Sequence, residues 1–184
     1  MNIKHLVSGA GVLLSLTSFV PLALANPAAP ITSPYLYNFN QNSSLKEAGE
    51  MELSTSPYWW VNSGAYLNIS GGRGRTVQGD LPKDDPWRIL YAANNALDTD
   101  DGYHPQNLFR LLTRTKWQNV SQEAYFVVDK DVASQSWNKN SSNALLLFSR
   151  YQDSQSLYYA GVRVDGAVVI KKKLNGTYST LKYV

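Results

Sequence analysis

The most regular apolar and polar patterning lies in the last third of the chain. Leu145, Leu146, Leu147 and Phe148 form a nearly continuous apolar run within residues 143–151, which predicts a strand in a sheet buried on both faces. Residues 152–156 read as a polar turn and 157–164 as a second strand. Asp165-Gly166 is a two-residue hairpin signal, 167–174 runs back, Asn175-Gly176 repeats the signal, and 177–184 closes a four-strand antiparallel meander. Upstream the pattern loosens: 108–117 and 123–129 read as strands, with 35–39, 50–54 and 66–69 as shorter candidates. Residues 71–107 are rich in Gly, Pro, Asp and Asn but carry Trp87, Ile89, Leu90 and Tyr91, so they predict an ordered loop laid across a sheet. No segment holds a 3.6-residue apolar period beyond a turn near 89–95. The fold class expected is all-β: an antiparallel β-sandwich or jelly roll spanning residues 35–184. The last strand runs to Val184 without a turn or polar tail, so the closing C-terminal strands are expected to lie beyond it.

The N-terminus changes the picture of where the protein acts. Lys4 and His5 sit in a short polar start, residues 6–24 are apolar apart from small and hydroxyl side chains, and Ala23-Leu24-Ala25 is a small-x-small cleavage site. This is the layout of a secretory signal peptide over residues 1–25. A Pro/Ala-rich flexible lead-in follows over 26–34, and the expected location is secreted, extracellular or periplasmic. No later apolar run approaches the ~20 residues of a spanning helix. The 184-residue chain has no cysteine, so a core or a bound ion must hold the exported domain. Removing Lys4 from the 17 basic residues leaves 16 against 14 acidic, too small a surplus to argue for nucleic acid. Lys171-Lys172-Lys173 reads either as a solvated strand edge or as a patch for an acidic polymer. Asn-x-Ser/Thr triplets at Asn42, Asn68, Asn119, Asn140 and Asn175 follow from a composition rich in Asn, Ser and Thr.

Several segments carry a family likeness. Residues 57–64 (Pro-Tyr-Trp-Trp-Val-Asn-Ser-Gly), 78–82 (Gln-Gly-Asp-Leu-Pro), 147–153 (Leu-Phe-Ser-Arg-Tyr-Gln-Asp) and 157–166 (Leu-Tyr-Tyr-Ala-Gly-Val-Arg-Val-Asp-Gly) resemble segments of bacterial exported proteins of the concanavalin A-like lectin/glucanase group. The resemblance covers nearly all of residues 35–184. It implies two stacked, curved antiparallel sheets, with a saccharide commonly held on the concave face of one. Members include lectins, laminin-G-like modules, lyases and hydrolases, so the fold leaves the activity open.

A two-residue turn at Asp165-Gly166 would set Val164 opposite Ala167 and Arg163 opposite Val168. Alternation then puts Leu157, Tyr159, Gly161, Arg163, Val168, Ile170 and Lys172 on one face. Tyr158, Ala160, Val162, Val164, Ala167, Val169 and Lys171 form the other, the cleaner core. Tyr159, Arg163 and Lys172 around side-chain-free Gly161 make a groove floor for a ligand, or an ordinary wet face. Above it, Trp59, Trp60, Trp87, Tyr103 and Trp117 lie in or beside loops, where aromatic faces stack on sugar rings or plug sheet ends. The adjacent pair Trp59-Trp60 points opposite ways along an extended segment, so one side chain is free to plug the core while the other meets ligand. His104 belongs to the same rim.

Catalytic constellations are sparse. Hydrolysis of a glycosidic bond needs two carboxyl groups ~5–10 Å apart, and the Glu-x-Asp-x-x-Glu pattern of the glucanase branch is missing; Glu47, Glu50 and Glu52 cluster in an early polar segment. The Tyr-Phe-Lys-Ala-Gly-x-Tyr segment of the alginate-lyase branch resembles 157–163 aligned on Ala160-Gly161, with Tyr159 at its lysine position and Arg163 at its second tyrosine. A polysaccharide lyase acting on an acidic glycan would use Tyr159 with Arg163 or Arg110 as base and carboxylate partner. Asp98, Asp100 and Asp101 before Gly102 resemble an oxygen-rich Ca²⁺ loop, and the family likeness adds a structural Ca²⁺ to the expectations. The expected function is binding of a polysaccharide through Tyr159, Arg163, Lys172, Trp59, Trp87, Tyr103 and His104. The alternatives are the lyase, or a cell-surface adhesion module with a protein partner.

Overall fold

The computed structural model describes residues 26–131, 134, 136 and 139–184; the expected signal segment lies outside the described residues. The fold is all-β in class, with strands paired antiparallel and one α-helix among the described residues. A three-stranded sheet has the order β1-β3-β4, from Ser43–Lys46, Tyr66–Ser70 and Arg73–Arg75. A second sheet pairs β2 (Trp59–Ser63) with β5 (Arg110–Thr113). The meander is β6 (Ala144–Asp153), β7 (Ser156–Arg163), β8 (Val168–Leu174) and β9 (Thr177–Tyr183), in sequential order. No helix among the described residues is long and apolar enough to cross a membrane.

The two small sheets share a core. Leu45 of β1 and Leu67 and Ile69 of β3 alternate inward and meet Val61 of β2, with Trp59, Phe109 and Leu111 packed alongside. A second cluster sets Tyr91 of the helix against Ala65, Val77 and Leu81, flanked by Trp87 and Leu108. Val61 is 1 % exposed, a burial that contributes about 1.5–3 kcal/mol.

Residues 86–99 correct the expected loop: they form the helix α1, Pro86–Thr99. Asp85 caps its start by accepting from the Trp87 N–H at 2.8 Å, and Pro86 supplies a preset φ at the first position. At its end Asp100 adopts the left-handed conformation and Gly102 follows at φ +79. A Cβ on Gly102 would land on the Arg88 carbonyl oxygen, so glycine lets the chain turn back against the helix. Residues 35–39 and 123–129, expected as strands, form none, and 50–54 contain a 3-10 turn at Met51–Leu53.

The meander stands where expected, with one change of register. Asn175 and Gly176 both have positive φ (48 and 81) between the paired residues Leu174 and Thr177, the two-residue turn their sequence calls for. The Asp165-Gly166 hairpin instead uses a three-residue loop, 164–166, closed by Arg163 N–H to Ala167 O (2.8 Å), with Gly166 at φ +87. Leu157 therefore pairs with Lys173, Tyr159 with Lys171 and Val162 with Val168. A one-residue slip reverses every side chain of β8. The face expected as core, around Tyr158 and Val162, is the open one: Val162, Val168 and Ile170 are 54 %, 46 % and 42 % exposed. Leu157 and Val169, on the opposite face, are the buried apolar residues of β7 and β8.

Candidate functional site

Arg110 opens β5 at the point where two irregular strands meet. The β2–β5 register shifts between Val61 and Ser63, and the β6–β7 register shifts between Ser149 and Asp153, with Arg150 at φ +48. Such bulges re-aim side chains. Here they bring Asn62 and Tyr151 to one guanidinium: Arg110 Nη1 donates to Asn62 Oδ1 at 2.7 Å and to Tyr151 Oη at 2.9 Å. Tyr151 Oη in turn donates to Asn62 Oδ1 at 3.1 Å. The small sheets are thereby tied to the meander through a closed polar triangle with a positive charge at its centre.

On the meander side of Arg110 lies a cavity of about 240 Å³, lined by Arg110, Leu146, Phe148, Ser154, Gln155, Leu157, Tyr159, Lys173 and Tyr178. Its walls combine aromatic rings, two cations and amide and hydroxyl groups, and no carboxylate lines it. Lys173 Nζ sits 4.8 Å from the Tyr178 ring centroid and donates to Ser154 O at 3.0 Å. The Tyr159 ring is 6.3 Å from Phe148 and 6.4 Å from Tyr178, tilted edge-on to both. Burial and the neighbouring Tyr178 raise the Tyr159 phenol above its usual pKa, with Arg163 opposing, so at neutral pH it stays protonated.

On the other side of Arg110 lies a second cavity of about 270 Å³, lined by Glu47, Asn62, Ser63, Leu90, Tyr91, Asn94, Asn95, Leu108 and Arg110. Glu47 Oε2 accepts from Tyr91 Oη at 2.6 Å and from the Ala65 N–H at 2.8 Å. Tyr91 Oη also accepts from the Gly64 N–H at 2.6 Å. Burial and the Glu47 hydrogen bond push the Tyr91 phenol up, so it remains a donor and holds the carboxylate in place. Both cavities fall just below the ~300–1,000 Å³ of drug-sized pockets.

The residues expected to form the site divide. Tyr159 lines the first cavity. Arg163 is on the same strand face but is committed elsewhere: Nη2 pairs with Asp165 at 2.7 Å, Nε bonds Ser141 O at 3.1 Å, and the guanidinium lies 5.5 Å from the Tyr183 ring. Lys172 pairs opposite Tyr158 and so points to the face away from Tyr159, the consequence of the slipped hairpin; Lys173 takes the place expected of it. Gly161 does not clear space for a ligand: a Cβ there would meet the Leu145 carbonyl oxygen of β6. The Lys171–Lys173 run is not an edge, since β8 lies between β7 and β9.

The aromatic rim is likewise taken up in structure. Trp59 packs on the core of the small sheets and Trp87 on the helix cluster, while Trp60 Nε1 donates to Ala48 O at 2.7 Å. Tyr103 lies under Arg88, whose guanidinium carbon is 3.3 Å from the ring centroid. His104 is buried between two carboxylates, with Nδ1 2.6 Å from Asp100 Oδ2 and Nε2 2.8 Å from Asp80 Oδ1. Burial opposes its charge, but the bonds and charges of Asp100 and Asp80 outweigh it and raise its pKa. Asp100 is lowered: burial works against ionisation, and the bonds from His104 and Ser134 and the His104 charge overcome it. Asp100 Oδ2 faces His104, Oδ1 accepts from Ser134 at 3.0 Å, and no group of three acidic or histidine side chains gathers for a metal among the described residues.

Comparison with family models, with curated proteins and with solved structures found no match for the chain.

Proposed function

We propose that this chain is an exported module that binds a polysaccharide in the groove centred on Arg110, with its sheets arranged in the jelly-roll manner that the family likeness implies. The observation that carries the reading is the first cavity: Tyr159 and Tyr178 offer ring faces and edges to sugar C–H groups, while Arg110 and Lys173 offer cations without a carboxylate to oppose them. That composition favours an acidic glycan. Lyase chemistry is the second reading: Arg163 is paired with Asp165, but Arg110 shares the cavity with Tyr159, and what weighs against it is that burial holds the Tyr159 phenol in its protonated form, which is a poor base.

Electrophoresis through gels containing acidic or neutral polysaccharides tests this, with absorbance at 235 nm followed in parallel. Retardation by an acidic polymer, weakened by salt and by Lys173→Ala, with flat absorbance, is the expected outcome. Equal mobility in every gel would remove the reading, and rising absorbance would replace it with a lyase.

A further inference from the structure

Resting on the glycan-binding proposal, the geometry points to a groove that sorts its ligand by charge: an acidic sugar in the Tyr159–Lys173 cavity and an uncharged, hydroxyl- or acetamido-bearing sugar beside it in the Glu47–Asn94 cavity. The ligand class is a heteroglycan in which acidic and neutral units adjoin, rather than a uniform polyuronate or a neutral glucan.

The two cavities share Arg110 as a common wall, so units joined in one chain can occupy both. Their electrostatics differ in kind. The first presents Arg110 and Lys173 with no acid. The second presents a fixed carboxylate: both hydrogen bonds to Glu47 fall on Oε2, from Tyr91 and from the Ala65 N–H, leaving Oε1 to accept from a ligand hydroxyl. Arg110 does not cancel that charge by pairing with it, since its bonds run to Asn62 and Tyr151. Asn62 is held by its Oδ1, which leaves its amide N–H groups as donors, and α1 adds exposed amides at Asn95 and at Asn94, whose Nδ2 also donates to Leu90 O at 3.0 Å. A uronate placed there would face the Glu47 carboxylate as well as Arg110, an opposing charge that the first cavity does not hold, and like charges juxtaposed in this way are disfavoured. A hydroxyl or acetamido group would find acceptor and donors already set.

Titration calorimetry of the full chain with three tetrasaccharides separates the cases: alternating glucuronate and N-acetylglucosamine, tetragalacturonate, and cellotetraose. The alternating ligand is expected to bind at least about tenfold tighter than the other two, the size of one like-charge penalty or one lost charge partner. Glu47→Gln keeps an acceptor for Tyr91 and the Ala65 N–H but turns the ligand-facing oxygen into an amide donor, so it is expected to tighten tetragalacturonate about tenfold and to weaken the alternating ligand, narrowing the ratio between them. Asn94→Ala, on an exposed helix position, is expected to weaken the alternating ligand more than tetragalacturonate and so lower the ratio between them, which covers the case of a Glu47 variant that does not fold. If tetragalacturonate binds wild type as tightly as the alternating ligand and neither substitution changes the ratio, the charge-sorting inference fails while glycan binding stands. If none of the three binds, both fail.

Discussion

Between Ser43 and Thr113 short strands bury Leu45, Val61, Leu67 and Ile69 to 8 % exposure or less, whereas in the meander Val162, Val168 and Ile170 stay 54 %, 46 % and 42 % exposed. The first region has strands of three to five residues, weak turn signals and a shared core; the second has strands of seven to ten residues, explicit turns and little burial. Local turn chemistry and backbone pairing are enough to shape a sheet, but burial requires another layer to pack on. The small sheets and α1 form the packed part, and the meander lines the cavity beside Arg110 with one face. Arg110 is the joint between them.

This contrast can be broken by substitution. The largest effect is expected in the packed region at Gly102→Ala, where φ +79 and the Arg88 carbonyl together exclude a side chain; a loss of about 3–4 kcal/mol in urea unfolding is expected. His104→Ala should cost about 3 kcal/mol by leaving the Asp100 carboxylate, 10 % exposed, without its cation. The same pair sets a pH window. His104 is raised above its ordinary 6.5, so its stabilisation is complete below that value and is lost as pH rises through the folded pKa. Asp100 is lowered below 3.8, so its contribution is complete above that value and is lost as pH falls through the folded pKa. Thermal melting should therefore show the pair's contribution greatest between those two ordinary values, and flattened in His104→Ala. Val61→Ala should cost about 2 kcal/mol, against less than about 0.5 kcal/mol for Val162→Ala on the open face. Equal losses at Val61 and Val162 would mean that the meander face is covered in solution and that the two regions do not differ.

The sequence is informative where structure is local. Asn175-Gly176 specified its turn because both residues accept positive φ. Asp165-Gly166 did not, since its loop borrowed Val164, and one residue of difference exchanged Lys172 for Lys173 in the groove. α1 escaped notice because its apolar residues do not mark its buried face: Ile89, Leu90 and Leu97 are 59 %, 45 % and 45 % exposed, while Tyr91 and Thr99 are buried. Residues 123–129 have the composition of a strand, yet Tyr125 and Val127 are 93 % and 74 % exposed with no partner strand among the described residues. For the site, Tyr159 and Arg110 could be picked out by side-chain chemistry. Asn62 and Tyr151 could not, since they reach Arg110 across 48 and 41 residues of sequence through two bulges that no local pattern announces.

The most direct test of the groove is hydrogen–deuterium exchange of the chain with and without a retarding acidic polysaccharide. Protection gained on β5 at Arg110 and on β7 and β8 around Tyr159 and Lys173, with residues 103–106 and the Trp59-Trp60 strand end unchanged, is the result expected. Protection appearing at Trp59, Trp87 and Tyr103 instead would place the ligand on the aromatic rim and contradict the Arg110 groove.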